Sequence, residues 1–224
     1  MCGIIGGIVR DPASFKAGLR EIYRNQAMRG RQGAGISVKS DGKLFRYRAR
    51  TPEAVFRSQT FKRIKAGDYV LFHHRFPTST PNKWFCNHPF ANETRSRMMI
   101  HNGHISNYVM LANELLVQGH TFETMTDDNL ITDSEVLVHL TENITEMDGI
   151  GPYLMNKAHG GFAIAMVGLD YDGILLFRSV NPIVIFTDEV NTYFASERPE
   201  GFEPVHEMRD GESILMQKRR SDAK

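Results

Sequence analysis

Cysteine is nearly absent. The 224 residues hold two, Cys2 and Cys86; they form no disulfide framework, and a chain this size without one fits a reducing compartment. No apolar run approaches the roughly 20 residues a helix needs to cross a bilayer. The first such run, CGIIGGIV at 2–9, also lacks the basic flank of a signal peptide. Neither sign of charge dominates: 27 Lys and Arg stand against 26 Asp and Glu, a net charge of +1, so no global field draws the protein to nucleic acid or a membrane. Repeats, low-complexity tracts and proline-rich linkers are missing too. One domain over residues 1–224 is expected, cytoplasmic, with a basic and frayed tail at 218–224.

What is present reads as strands and helices in alternating groups. CGIIGGIV is a strand, after which Asp11 caps and Pro12 begins a helix that runs toward Gly30, a natural stop. GISVKS and KLFRYRA flank Asp41-Gly42, a hairpin signal. DYVLFHHR at 68–75 and RMMIHNG at 97–103 are further strands; the polar stretch between them is too long for a turn and is expected to be a mobile, functional loop. Helical spacing returns at 105–119 and 133–144, and the remainder to 217 is strand-like with turns at 171–173, 188–191 and 210–211. Two sheets covered by two helical groups account for this order.

The chemistry begins at Cys2. A thiolate is a strong nucleophile that needs a base, and at a free amino terminus the residue carries its own, an α-amine of pKa about 7.7 to 8. Removal of Met1 would make Cys2 both. A buried structural cysteine is the plain alternative. Asn102-Gly103 offers a side-chain amide and a backbone N–H at one point, suited to a developing oxyanion, though Asn-Gly is also a turn signal. Arg75 and Asp133 are a solvated strand-end arginine and a helix-capping aspartate unless something joins them.

RGRQGAGI at 29–36, HHRFPT at 73–78, CNHP at 86–89, HNGHISN at 101–107 and TDSE at 132–135 follow Cys2 in that order, with SVNP at 179–182 and FASE at 194–197 behind them. Together they resemble class II glutamine amidotransferase domains, the amino-terminal-cysteine glutaminase modules, and the likeness spans essentially the whole chain. The resemblance implies an α+β fold, the four-layer αββα sandwich of amino-terminal-nucleophile hydrolases. It implies hydrolysis of L-glutamine to L-glutamate and ammonia through a Cys2 thioester, with Asn102 and Gly103 as oxyanion hole and no cofactor. Arg75 would hold the substrate carboxylate and Asp133 its ammonium, with Thr78 and Ser79 adding hydrogen bonds; the family more often has His where Ser79 stands. Arg29, Gly30 and His73 would support the nucleophile. Phe76-Pro77 replaces the family's frequent Trp-Ala, implying a variant lid over the glutamine pocket; Trp84 is expected as a half-buried surface residue, with an aromatic cover of that pocket as the alternative. The expected partner is a separate synthase subunit that receives the ammonia.

Other readings remain open beside this one: a hydrolase of γ-glutamyl peptides or other amides, and a non-catalytic glutamine-binding subunit. The basic, aromatic segment from Arg46 to Lys65 suits nucleic acid or a docking partner, but no nucleic acid is expected because the rest of the chain cancels its charge. The histidines at 73, 74, 88, 101 and 104 invite a metal, yet His73 and His74 point to opposite faces of a strand and no zinc spacing is present, so none is expected.

Overall fold

The computed structural model describes residues 2–76, 83–125 and 131–218. Thr78, Ser79 and the tail beyond 218 therefore lie outside the described residues. Twelve strands form two antiparallel sheets among those residues. The larger has the order β11(Glu203–Glu207), β9(Val184–Thr187), β10(Thr192–Ala195), β1(Gly3–Ile8), β4(Tyr69–Arg75), β2(Gly33–Ser40), β3(Lys43–Ala49). The smaller runs β12(Ser213–Met216), β8(Ile174–Arg178), β7(Phe162–Gly168), β6(Arg97–Gly103), β5(Phe90–Ala91).

Strand alternation sorts the apolar side chains into three layers. On the outer face of the large sheet, Ile5, Ile36, Val70 and Phe72 pack under α1(Pro12–Asn25) and the short α2(Pro52–Arg57) and α3(Gln59–Lys62). Between the sheets lie Ile4, Ile8, Tyr69 and Leu71 against Met98, Ile100, Ala163 and Ala165. Beyond the small sheet, Met99, Ile164, Met166 and Phe177 meet α4(Tyr108–Val117), α5(Asp133–Leu140) and α6(Met147–Lys157). Helix, sheet, sheet, helix: this is the αββα sandwich that the motifs imply.

Several boundaries differ from the sequence reading. The first helix ends at Asn25 and a 3-10 turn covers Ala27–Arg29, so Gly30 does not terminate it. Gly30 has an extended φ of 170°; what excludes a side chain there is the backbone of Arg75, whose carbonyl carbon would lie 2.3 Å from a Cβ. The helix expected to reach residue 144 stops at Leu140, because the buried Arg97 guanidinium donates to the carbonyls of Thr141 and Ile144. Thr132, not Asp133, caps α5: its side chain accepts the Glu135 N–H and leaves Asp133 in the first turn. The Lys218 ammonium sits 4.6 Å over the Tyr69 ring.

The stretch expected to be a mobile loop is largely built into the fold. Asn87 is fully buried and its side-chain amide donates to the Ala49 carbonyl at 2.8 Å, while His88 and Phe90 are buried beside it. Only 77–82 of this stretch lie outside the described residues. The basic segment is likewise engaged within the chain: Arg46 and Arg48 pair with Glu123 at 2.8 and 3.0 Å, and Arg63 lies 3.6 Å over Phe45. No described helix is long and apolar enough to cross a membrane.

Candidate active site

Cys2 stands one residue before β1. In the antiparallel register Gly3 faces His74 of β4, so Cys2 approaches the end of β4 at Arg75. Alternation puts Cys2 on the same side as Ile4, Arg75 on the same side as Leu71, and Asn102 on the same side as Ile100, the face between the sheets in each case. One polar cleft is lined by Cys2, Arg75, Phe76, Gly103 and Asp133, with Cys86, His88, His101, Thr132 and Ser134 around them.

Each group is held by its neighbours. The Cys2 thiol donates to the Phe76 carbonyl at 3.7 Å. Burial pushes the thiol up from its ordinary value, more than the Phe76 contact and the Arg75 charge draw it down. Arg29 Nε donates to the Cys2 carbonyl at 2.9 Å, and its Nη1 meets Glu197 at 2.5 Å. Arg75 is 5% exposed, not solvated at a strand end, and its Nη1 donates to Asn87 Oδ1 at 3.4 Å. Asp133 Oδ2 accepts the Ile105 N–H at 3.1 Å and lies 3.6 Å from His104 Nδ1, while Oδ1 accepts from Ser134 Oγ.

Asn102 is 1% exposed, and its Nδ2 has no hydrogen-bond partner among the described residues. Its carbonyl is pinned by Asn181 Nδ2 at 3.0 Å, which places the SVNP motif behind it. Gly103 follows with φ of 150°, and a Cβ there would lie 2.3 Å from the Gly161 carbonyl oxygen. Both facts require glycine at this point.

His73, expected to support the nucleophile, is fully buried but is not among the cleft's lining residues; its ring lies tilted by 33° against that of His88, with centroids 3.8 Å apart. Its strand neighbour His74 is the closer support. His74 Nδ1 meets the Gly30 carbonyl at 2.9 Å and its Nε2 meets Gln26 Nε2 at 2.9 Å; a carbonyl only accepts and an amide nitrogen only donates, so Nδ1 carries the proton. Gln26, also buried, accepts from the Glu197 N–H through Oε1. His74 enters the sequence reading only as a metal candidate, and Gln26 not at all, since a lone glutamine at a helix end gives no signal. His101 was weighed only as a metal ligand; it lines the cleft and its Nδ1 meets Ser134 Oγ at 2.8 Å. Trp84 is 51% exposed and does not line the cleft.

Burial pulls all four histidines of this region, 73, 74, 88 and 101, below the ordinary imidazole value, His74 to about 4. The unfolded imidazole titrates at about 6.5, so between those values the unfolded chain binds the extra proton and stability falls as pH falls. From pH 7 to pH 5 His74 alone removes about 2 kcal/mol of unfolding free energy, with the other three acting in the same direction. Urea titrations at the two pH values measure it; equal midpoints would show that these rings are not held neutral.

A family model described as "Glutamine amidotransferase domain" matches residues 86–200. Glutamine–fructose-6-phosphate aminotransferases of Thermus thermophilus and of a Nostoc species are 30% and 28% identical over 212 and 208 residues. Both alignments cover 89% of this chain and 32% of the relative, so the chain spans about a third of the length of the curated relatives it matches. Among solved structures, an allosteric regulatory enzyme of purine biosynthesis has a similar fold, with a TM-score of 0.75 and 24% identity over 96% of this chain and 46% of that one.

Proposed function

The chain belongs to the class II glutamine amidotransferase domain family, and from that membership we propose that residues 1–224 act as one glutaminase domain, hydrolysing L-glutamine to L-glutamate and ammonia. The observation that carries this reading is a single cleft lined by a thiol, a guanidinium, a carboxylate and Gly103, next to a buried amide donor without a partner among the described residues.

The Cys2 thiol gives up its proton as the sulfur attacks. Once Met1 is removed, the α-amine of Cys2 takes that proton. A bond forms between Sγ and the carboxamide carbon of glutamine, and the carbonyl electron pair moves onto oxygen, where Asn102 Nδ2 and the Gly103 N–H receive it. Collapse breaks the C–N bond, and the amine returns the proton to the departing ammonia. Water then adds to the thioester, the amine again holding the transferred proton, and the C–S bond breaks to release glutamate and restore the thiol. Arg75 binds the substrate carboxylate and Asp133 its ammonium, an opposed pair that selects the amino-acid head group. Arg29, Gly30 and His73 act through the backbone and packing around Cys2 and Arg75. The ammonia passes to a synthase site, proposed here on a separate subunit; the relatives carry about two thirds of their length beyond the matched part, which supports an acceptor site outside this domain.

The test is Arg75→Lys, which keeps the charge but loses the planar fork. Glutamine KM rises by at least about 30-fold, since disturbing a buried, hydrogen-bonded charge pair costs ~2 kcal/mol or more, while iodoacetamide alkylates Cys2 at the wild-type rate. An unaltered KM would place the head group elsewhere. The same steady-state assay, run with and without a co-purified synthase, tests the ammonia route: turnover indifferent to every partner would favour a self-sufficient hydrolase.

A further inference from the structure

We propose that Glu93, His120 and His139, with Glu142 beside them, form a binding site for one divalent cation of the zinc class, separate from the glutaminase cleft. The four residues come from different segments. Glu93 lies in the β5–β6 connection, His120 follows the end of α4, His139 occupies the last turn of α5, and Glu142 lies just beyond it. One ligand atom each from Glu93, His120 and His139 lies within 4.8 Å of the other two.

Two buried imidazole nitrogens face this space unsatisfied. His139 is 3% exposed, and its Nδ1, like that of His120, makes no hydrogen bond among the described residues. Glu142 oxygens stand 2.9 Å from His139 Nδ1 and 3.8 Å from His120 Nδ1, so negative charge is at hand although neither ring nitrogen is directed along a hydrogen bond to it. Leaving a buried polar group unpaired is costly; a cation accepting both lone pairs would remove that cost.

The carboxylates are themselves oriented, as ligands of a metal usually are. Glu93 Oε1 accepts from the Thr121 backbone N–H and hydroxyl at 2.5 and 3.0 Å, and Glu142 Oε1 accepts from the Glu93 N–H at 3.0 Å. His120 is placed by its own N–H, which bonds to the Leu115 carbonyl at 3.0 Å and closes α4. Two imidazoles with carboxylates favour zinc and its neighbours over magnesium or calcium, which prefer all-oxygen shells. Ligand atoms of a tetrahedral zinc stand about 3.3 Å apart, so Glu93, on an exposed turn, closes by roughly 1 to 1.5 Å. The site has three protein donors, with Glu142 beside the two imidazoles. It lies six residues, about 9 Å, along α5 from Asp133, and ties the turn after α4 to the same helix that Glu135 already holds through the Glu123 and Thr124 N–H groups.

The experiment is metal analysis of the folded chain after EDTA treatment and equilibration with micromolar Zn2+. One zinc is retained per chain, and also in a Cys2→Ser, Cys86→Ser variant, which removes thiols as a competing source. Glu93→Gln and His120→Gln weaken binding by about 100-fold or more, beyond the loss usual for an outer-shell partner. Where a substituted chain fails to fold, Co2+ titration of the wild type decides, with intense tetrahedral visible bands expected. Failure of the wild type to retain zinc, weak octahedral cobalt bands, or undiminished binding in a folded Glu93→Gln, His120→Gln variant would each overturn the site and leave a plain His–Glu cluster.

Discussion

Cys2→Ala abolishes glutamine hydrolysis, and so does any treatment that leaves Met1 in place. Losing a nucleophile removes the covalent route altogether, and comparable losses elsewhere amount to about 10,000-fold or more in kcat. The Met1 arm is the more discriminating. A generic thiol hydrolase with a side-chain base would tolerate an extra residue in front of its cysteine. Here the histidines nearest the cleft are poor bases: burial holds His88 and His101 below the ordinary imidazole value, and His74 is committed to Gly30 and Gln26. With the thiol itself raised, the proton needs an acceptor near pKa 8, and the α-amine of a processed Cys2 supplies one. Intact mass identifies the first residue, and a glutaminase assay of the retained and processed forms completes the test. Full activity with Met1 present would sink the mechanism.

Arg75 and Asp133 were joined to Cys2 and Asn102-Gly103 by the family resemblance alone; the fold brings Cys2, Arg75, Gly103 and Asp133 to one cleft because β1 begins just after Cys2, β4 ends at Arg75, β6 ends at Gly103 and α5 begins at Asp133. Asn102-Gly103 was readable from the residues themselves, as a local turn signal. The hairpin at Asp41-Gly42 was legible for the same local reason: both residues have positive φ, 48° and 68°, which the two-residue turn demands. Other elements form for reasons that lie far along the chain. α6 contains Gly149, Gly151 and Pro152, poor helix formers, and is held by burial of Ile150 and Leu154. β11 is an exposed edge strand with an irregularity at Pro204 and His206, so it shows no alternating pattern. α2 and α3 carry local signals, Thr51-Pro52 and Ser58 as caps, in a segment dominated by basic residues. His101, Gln26 and the His120–His139 pair escaped because their partners are distant in sequence, and neither period nor spacing reports a contact of that kind.

Asn102→Ala lowers kcat by roughly 100-fold to 1,000-fold with a small change in glutamine KM, the usual consequence of losing one oxyanion donor. A buried side-chain N–H without an acceptor is an expensive feature, and Asn102 Nδ2 is one among the described residues. The rest of the residue is fixed: its carbonyl is held by Asn181, and Gly103 beside it is locked by close approach to Gly161. A donor that is rigid, dehydrated and unpaired in the resting protein is worth most to a charge that appears only during reaction, because no reorganisation is needed when the oxygen becomes negative. Ground-state glutamine carries a neutral carbonyl there, so KM changes little. Asn102→Asp sharpens the case: the side chain keeps its size, loses the donor and gains an acceptor, and activity falls at least as far as in the alanine variant. Alkylation of Cys2 by iodoacetamide, which develops no oxyanion, proceeds in both variants at near the wild-type rate. Steady-state kinetics with parallel alkylation measures the difference, and a kcat within about threefold of wild type would remove Asn102 from the oxyanion hole.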